Sequence, residues 1–411
     1  MHTDDRFTVW CAACDWNVDP GRPEEKRGRL ERARRELARR HGEKLLAEVT
    51  AGADLRPRRD ASALLAHAIA LAVHGVTLAV VAAGVLFLVA GWGVPAMIPG
   101  VFLLALAWPL RPRLPRVPDD RPVLRRDAAP ELYGLVDEIA RVAGTRGVDV
   151  IAVDASVNAS VTTCSLRGRR LLTLGLPLWE ILSPRQRIAL LGHELGHYSN
   201  GDTRHGLVVA TAYRSLTTWR YYLAPIARPT PVEWFVNLAY LVPRTLVQGV
   251  LMLLDRATLR ATQRAEYLAD AMAARAGSTE AAVGLMDRLL VADSVVVALR
   301  RETNDPRARR RDSSHAAWAA GMWDRLAVHL RSVPEHEYTR QRRAGALRGH
   351  SVDSTHPPTH LRRECLLAGV PVPAAVTSGG DREERIAGEL AEARATVARR
   401  VLRDGYDGYD S

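Results

Sequence analysis

The stretch Leu190-Leu-Gly-His-Glu-Leu-Gly-His-Tyr-Ser-Asn-Gly-Asp202 is the most informative part of the chain. It places His193 and His197 four residues apart, so on a helix both imidazoles point to one face and can share one metal ion. Glu194 follows the first histidine and can act as a general base toward a water molecule. The alternative is a helix with ordinary polar histidines, because so short a motif also arises by chance.

Two glycines in this stretch favour a packing or functional role for the helix. Gly192 and Gly196 would each cost a helix about 1 kcal/mol relative to alanine. Residues that fit a helix so poorly require a compensating reason elsewhere in the fold. Pro184 can begin the helix and Asn200-Gly201 can end it, so we predict one helix that carries the whole motif.

Two histidines are too few for a catalytic zinc site, which usually has three protein ligands and an open position. A third histidine six residues after His197 is absent, because that position is Thr203. Glu266 and Asp270 lie four residues apart in a helical pattern that runs from about residue 232 to 275. One carboxylate can bind the metal, and the other can hydrogen-bond the outer nitrogen of a ligand histidine. Taken alone, the pair is also typical of a solvated helix edge.

The segment before the motif predicts a helix followed by a small antiparallel sheet. Residues 127–147 place their apolar side chains on one helical face. Strand patterns then follow at residues 148–153, 158–164 and 170–174, with a turn before the last one. Together with the helical patterns, this indicates a mainly α, α+β fold.

The N-terminal part contains an apolar segment of membrane-spanning length. Residues 61–90 carry no formal charge, and a bilayer core needs about 20 apolar residues as helix. A turn and a shorter apolar stretch to residue 110 follow, which predicts a transmembrane helical hairpin over 61–110. Arginines flank the hairpin and not its loop, so we expect a multi-pass cell-membrane protein whose remaining chain faces the cytoplasm.

Residues 235–254 are apolar enough for a third membrane segment. Arg244 and Gln248 interrupt this segment, and a charge within a membrane span is costly. An apolar helix that packs on the protein or lies at the membrane surface is the alternative.

The formal net charge is +11. Nearly all of the positive charge comes from arginine, since the lysines are Lys26 and Lys44. Such a balance is typical of proteins that bind nucleic acid or a membrane surface. The hairpin flanks account for part of it, and no nucleic-acid-binding motif accompanies the charge, so we expect a membrane lipid partner and no nucleic acid.

The four cysteines do not form a disulfide framework for a chain of 411 residues, which favours a reducing compartment. Cys11 and Cys14 form a CxxC pair in a leader over residues 1–20. The pair can supply two of the four ligands of a second zinc site, as half of a zinc ribbon. The other ligands would come from His2 or a second chain; the alternative is a pair of free thiols.

Three motifs in one order resemble the family of HtpX and the CAAX prenyl endopeptidases. These are HELGHYSNGD, then EYLADA beginning at Glu266, then the segment Ser354–His360. The helix at Glu131–Glu138 and the segment Leu174–Trp179 add to the likeness, which extends over most of the chain after the apolar hairpin. The resemblance implies a zincin-like helical metallopeptidase domain, for which we set the bounds 111–370. A charged helix or linker at 21–60 and the hairpin at 61–110 precede this domain, and a charged helix and tail at 371–411 follow it.

The same resemblance implies roles for particular residues. It implies one zinc ion on His193, His197 and Glu266, with Glu194 as the general base and His356 as a catalytic residue near the site. Asp270 is then the partner that orients a ligand histidine.

The resemblance also implies an edge strand that pairs with the backbone of an extended peptide substrate. The strand residues expected to do so are Asn158, Ala159, Ser160 and Val161. An oxyanion stabiliser is expected from a histidine, tyrosine or arginine. Besides His356, Tyr338 and His360 are candidates that the residues alone do not rank.

These features predict a membrane-anchored, zinc-dependent endopeptidase that hydrolyses peptide bonds with a zinc-activated water. Its substrates would be extended segments of membrane or misfolded proteins, an expectation that rests on analogy with the family. The alternative is a catalytically silent membrane scaffold that retains the zinc-site fold. The sequence leaves the oligomeric state open.

Overall fold

The computed structural model describes residues 6–20, 40, 42–48, 61–90, 93–113, 116–117, 119–165, 167–199, 202–309, 313–348 and 357–406. The chain is mainly helical and divides into two compact units that interleave along the sequence. The first unit comprises residues 1–56, 116–200 and 263–411, and the second comprises residues 57–115 and 201–262.

The helices and strands follow one another in this order along the chain. They begin with α1 (Ala61–Val89), α2 (Val94–Leu110), β1 (Val123–Leu124), α3 (Pro130–Val142), β2 (Val150–Asp154), β3 (Ala159–Thr163), β4 (Arg170–Gly175), α4 (Leu176–Ile181), α5 (Pro184–Ser199) and α6 (Asp202–Tyr222). They continue with α7 (Pro231–Ala239), α8 (Leu241–Gly277), α9 (Thr279–Leu290), α10 (Ala292–Asn304), a 3₁₀ helix (Pro306–Arg309), α11 (Ser313–Ala320), α12 (Met322–Arg331), α13 (Glu335–Arg348), α14 (Thr359–Ala368) and α15 (Gly380–Asp404).

The four-stranded sheet of the described residues has the order β1-β2-β4-β3. β3 is antiparallel to β4, with Ala159 opposite Leu174. β2 is parallel to β4, with Val150 opposite Leu171, so the sheet is mixed. The prediction of an antiparallel sheet was therefore wrong, and β1 was not predicted at all.

The apolar content of the strands explains this order. All five residues of β2 are buried, and β4 buries Leu171, Leu172 and Leu174. β3, with the sequence ASVTT, is only half-buried after its first residue. The most apolar strands occupy the middle of the sheet, where both faces are covered. β4 therefore lies between β2 and β3, and the more polar β3 is left at the edge.

The C-terminal helix α15 packs into the main core of the first unit. Its buried residues recur at helical spacing, from Ile386 through Leu390 and Val397 to Val401, and its charged residues occupy the opposite face. Residues 21–39, 41 and 49–60 of the predicted charged linker lie outside the described part of the chain.

Glu389 of α15 caps the N-terminus of α3. Its two carboxylate oxygens accept the backbone N–H groups of Glu131 and Leu132 at 2.7 and 2.9 Å. Ala129, which precedes the helix, offers no side-chain cap of its own. A carboxylate at this end satisfies N–H groups that have no partner within the helix and interacts favourably with the helix dipole.

In the second unit α1 and α2 pack closely against each other. A Cβ atom on Gly84 would lie 2.9 Å from Leu104, and one on Gly100 would lie 3.0 Å from the carbonyl oxygen of Gly84. The two glycines therefore allow the helices to approach closely. α1 also packs against α6, where the His74 ring lies 3.1 Å from the carbonyl oxygen of Val208.

In the described part of the chain, α1 is the one unbroken helix long and apolar enough to cross a membrane. α2 is apolar but only 17 residues long. α7 and the start of α8 pass the same test only together, with a bend of 42° between them. The predicted segment 235–254 is therefore interrupted at Tyr240 and is not one straight helix.

The capping contact predicts the effect of a substitution on stability. Glu389→Ala removes the acceptor of two backbone N–H groups and should lower the free energy of unfolding by about 0.5–2 kcal/mol. Denaturant unfolding of the purified protein measures the change. Glu392→Ala, at an exposed position of the same helix, is the matched control and should have little effect. Equal losses in the two variants would contradict the capping role.

Candidate metal centre

His193 and His197 lie one turn apart on α5, and their Nε2 atoms are 3.3 Å from each other. Glu266 on α8 approaches both rings, with carboxylate oxygens 3.5 Å from His193 Nε2 and 3.6 Å from His197 Nε2. Potential ligand atoms of His193, His197 and Glu266 all lie within 4.8 Å of one another. Within the described residues, this is the one such group of histidine, cysteine or carboxylate side chains. The structure thus brings together the three predicted metal ligands.

The spacing of these atoms fits a tetrahedral metal ion. Ligands bound to zinc at about 2.0–2.2 Å in tetrahedral geometry lie roughly 3.3–3.6 Å from one another. The Nε2–Nε2 distance of 3.3 Å falls in that range, and each Nε2 has one Glu266 oxygen at such a distance, Oε2 for His193 and Oε1 for His197. Two imidazoles and one carboxylate also form a ligand set that zinc accepts, with a fourth position left for water.

The close crossing of α5 and α8 explains the two glycines of the motif. A Cβ atom on Gly192 would lie 2.8 Å from Ala276 Cβ, and one on Gly196 would lie 3.0 Å from Ala269 Cα. Both distances are shorter than side chains normally tolerate. The glycines therefore let the two helix backbones approach until Glu266 reaches the histidines, which supplies the packing reason that the sequence required.

Asp270 lies one turn after Glu266 and faces the other side of the first histidine. Its Oδ1 atom is 3.0 Å from His193 Nδ1, and the side chain is 1% exposed. A carboxylate at this nitrogen keeps the proton there and leaves Nε2 free to bind a metal. The role expected for Asp270 agrees with this geometry.

Arg362 of α14 is a buried member of the site that the sequence did not single out. Its guanidinium binds Asp270 through two hydrogen bonds of 2.8 and 2.6 Å. The same Nη2 atom lies 3.5 Å from Glu266 Oε2 and 3.3 Å from His193 Nδ1. The chain contains many arginines, and only its place just after the Ser354–His360 motif could have drawn attention to this one.

The buried groups shift one another's protonation. Burial alone would raise the pKa of Asp270, but the charge and hydrogen bonds of Arg362 hold it below its usual value. Burial and Arg362 both oppose a proton on His193, but the Asp270 hydrogen bond and the charges of Asp270 and Glu266 outweigh them and raise its pKa. A metal ion and a proton therefore compete for this ring.

Glu194, the predicted general base, is half-buried on α5 next to His193. Its charge acts on Arg362 and on Tyr198, so it belongs to the same electrostatic environment as the ligands. It is not one of the three clustered ligand residues, and its place beside His193 fits the acid–base role expected of it.

The edge strand β3 packs directly against the motif helix. Arg170 of the neighbouring strand β4 also contacts this helix, since its guanidinium lies 4.4 Å from the centre of the Tyr198 ring. Ala159, Ser160 and Val161 therefore lie on a strand that is tied to α5. Asn158 is exposed just before the strand.

The three candidates for oxyanion stabilisation have different surroundings. His356 lies outside the described residues, so its predicted role is untested. Tyr338 accepts a hydrogen bond from Arg288. His360 lies near the start of α14, where burial lowers its pKa.

Cys11 and Cys14 lie in a tight turn in which Cys11 N–H donates to the carbonyl oxygen of Trp16 at 3.0 Å. Backbone N–H groups of Ala13 and Cys14 hydrogen-bond to the Cys11 thiol and hold its pKa below its usual value. No third metal-ligating side chain joins the pair among the residues that the structure covers, since the one such cluster there is on α5 and α8. The second zinc site stays a prediction.

The site joins an HExxH motif on one helix to a carboxylate on a second helix that crosses it closely. This is the arrangement of an HExxH metallopeptidase site. The chain belongs to peptidase family M48, whose family model matches residues 127–368, more than half of the chain. The resemblance noted from the sequence motifs is thereby confirmed.

Individual relatives give the same result. The chain is 28% identical over 173 residues to "Protease HtpX" from Pseudomonas putida strains GB-1 and W619. The aligned region covers 40% of this chain and 58% of each relative. "Protease HtpX homolog 1" from Sulfurisphaera tokodaii is 34% identical over 79 residues, 19% of this chain and 25% of that protein. The chain thus spans little more than half the length of the Pseudomonas relatives. No solved structure matches it significantly.

The helix crossing predicts the effect of a single methyl group. Gly192→Ala places a Cβ atom against Ala276 and should push α5 away from α8, which weakens metal binding at least about tenfold. The overpacking should also cost about 1–3 kcal/mol of stability. Metal titration followed by calorimetry measures the affinity.

Gly388→Ala is the matched control for this substitution. Gly388 lies in the helix α15, and a Cβ atom there would meet nothing within 4 Å. Alanine should therefore leave metal affinity unchanged and stabilise the helix by about 0.5–1 kcal/mol. Parental metal affinity in Gly192→Ala would show that the close crossing does not position the ligands.

Proposed function

We propose that this protein is a membrane-anchored zinc endopeptidase. The observation that carries the proposal is the gathering of His193, His197 and Glu266 ligand atoms within 4.8 Å on two crossing helices. Membership of peptidase family M48 supports peptide-bond hydrolysis as the reaction. The predicted ligands and the predicted base are all present in one site.

The residues of the site have separate tasks in this reaction. When bound, zinc polarises the scissile carbonyl group and lowers the pKa of a water molecule to about 7. Glu194 accepts the proton of the attacking water and delivers it to the leaving amine. His193, His197 and Glu266 would hold the metal through one ligand atom from each residue.

Asp270 and Arg362 position the ligands. Asp270 accepts a hydrogen bond from the Nδ1–H group of His193 and fixes the ring in the orientation that presents Nε2. Arg362 holds Asp270 with two hydrogen bonds and prevents it from turning toward the metal. The pair of hydrogen bonds restricts the carboxylate to one orientation.

The outer edge of β3 supplies a place for the substrate backbone. Gly175 N–H donates to the carbonyl oxygen of Asn158, and Cys164 N–H donates to that of Arg169. Because an antiparallel ladder alternates, even-numbered residues of β3 face β4, and Val161 directs its backbone groups to the open edge. Among the described strands, none pairs with that edge. An extended peptide can add there as a further strand.

The apolar helices support a place at the membrane. α1 is long and apolar enough to cross a bilayer, and the adjoining α2 exposes large apolar side chains such as Ile98, Phe102 and Trp108. We propose that the two helices insert as a hairpin and that the metal centre faces the cytoplasm, because arginines flank the pair on its outer ends.

Two substitutions separate catalysis from metal binding. Glu194→Gln should retain zinc and lower the rate of casein cleavage by about 10²–10⁴-fold, since the general base is lost. Glu266→Ala should lose zinc as well as activity, since a ligand is removed. Elemental analysis and a cleavage assay on the same preparations measure both properties.

Glu280→Gln, an exposed carboxylate at the start of α9, is the matched control and should retain zinc and activity. Equal cleavage by Glu194→Gln and the parent protein would refute the peptidase mechanism and favour a silent scaffold. Equal zinc content in Glu266→Ala would remove Glu266 as a ligand, once zinc held by Cys11 and Cys14 is excluded with a double serine variant.

The proposed substrate edge makes a different prediction. Val161→Pro deletes an N–H group that faces the open edge and leaves the bonds to β4 intact. Zinc content and folding should be retained, but peptide cleavage should fall at least about tenfold, because a charge-neutral backbone hydrogen bond to substrate is lost and the edge is blocked. Val161→Ala is the control for loss of the side chain. Equal activity of the two variants would contradict strand addition at β3.

A further inference from the structure

A cavity of about 360 Å³ lies in the second unit, apart from the metal centre. Its lining comes from the segment after α2 and from the middle of α6. The lining residues are Arg111, Arg113, Arg214, Ser215, Thr217 and Thr218. Three guanidinium groups and three hydroxyl groups thus line one space, which makes it positively charged, although most of its lining surface is apolar.

The positive charge of this cavity is not neutralised within the described part of the protein. No carboxylate there forms an ion pair with Arg111, Arg113 or Arg214. The hydroxyls of Thr217 and Thr218 already donate to helix carbonyl oxygens at 2.9 Å. The guanidinium groups therefore remain available for an external anion.

Two polar atoms of the lining are buried without a hydrogen-bond partner. They are Nη1 of Arg111 and Oγ of Ser215, and the Ser215 side chain belongs to a residue only 4% exposed. Buried polar groups are almost always hydrogen-bonded, and an unmade bond to a charged group is costly. Both atoms are donors with almost no exposed surface, so an acceptor in the cavity reaches them only when these side chains turn toward it.

The position of the cavity indicates the source of such an acceptor. Arg111 directly follows Leu110, the last residue of the apolar helix α2. Its guanidinium lies 3.5 Å from the centre of the Trp108 ring, and Trp108 is 67% exposed. Tryptophan followed by arginine at the end of an apolar helix is typical of the level of lipid headgroups.

We propose that this cavity binds a phosphate oxyanion and that, at the membrane, it takes the headgroup of an anionic phospholipid. Guanidinium groups bind phosphate oxygens through paired, charge-assisted hydrogen bonds. The absence of a carboxylate partner among the described residues disfavours zwitterionic headgroups, whose cation would meet only positive charge. The lipid source rests on the proposed membrane placement of α1 and α2, whereas the phosphate chemistry does not.

Native mass spectrometry of the full chain in an uncharged detergent tests the proposal. The protein carries Glu194→Gln, so that self-cleavage does not interfere and binding is measured independently of peptidase activity. Three probes are titrated separately: dihexanoylphosphatidylglycerol, dihexanoylphosphatidylcholine and inorganic phosphate. We expect saturable binding of the phosphatidylglycerol, competition by inorganic phosphate and much weaker binding of the phosphatidylcholine.

Substitutions in this background locate the site. Arg111→Gln and Arg214→Gln should each weaken phosphatidylglycerol binding roughly tenfold, since each removes charge-assisted hydrogen bonds. Arg220→Gln removes the same charge from an exposed position of α6 outside the cavity and should bind like the parent. Arg111→Lys keeps the charge, and partial binding by it shows that loss in Arg111→Gln is not caused by unfolding.

Four outcomes would overturn the proposal in whole or in part. If Arg111→Gln and Arg214→Gln both bind phosphatidylglycerol as tightly as the parent protein, the cavity is not the binding site. An equal loss of binding in Arg220→Gln would lead to the same conclusion. Binding of inorganic phosphate without phosphatidylglycerol would retain the oxyanion site and refute the lipid source. Carbonate extraction of the protein from membranes would refute the membrane placement alone, and zinc content in the same preparations reports on the peptidase proposal separately.

Discussion

The close contact between α5 and the end of α8 is the constraint on which the metal centre depends. Gly192 and Gly196 on one helix meet Ala269 and Ala276 on the other, so the backbones lie nearer than larger residues would permit. Without that approach, the carboxylate of Glu266 would not reach the histidines. The same two glycines weaken the helix locally, which shows that tertiary packing here outweighs intrinsic helix propensity.

The second constraint is the burial of charge around the ligands. Glu266 and Asp270 are almost completely buried, and carboxylates in such positions need a partner. Arg362 forms ion pairs with both carboxylates, and a metal ion held by His193, His197 and Glu266 would supply further positive charge. The ion pair thereby connects α14 to the metal centre, and the family match, which ends at residue 368, includes this helix.

The elements nearest to the motif were the easiest to predict. The helix from Pro184 carries the motif as expected, and strands lie close to the three predicted positions. The sheet order was not predictable from alternation alone, because a strand pattern does not say which neighbour it pairs with. The bend at Tyr240 and the contribution of Arg362 were missed as well, since neither leaves a periodic pattern in the sequence.

The sequence by itself determined that two imidazoles share one helical face with a glutamate beside the first, because helical spacing is a local property. It also indicated that a carboxylate from elsewhere must complete the site. The resemblance to the HtpX family implied Glu266 as the ligand and Asp270 as the orienting partner, and only the tertiary structure decided their contacts: Glu266 faces the two Nε2 atoms, and Asp270 faces His193 Nδ1. That division depends on how α8 crosses α5 and on the hydrogen bonds of Arg362 to Asp270, and both are contacts between residues far apart in the chain.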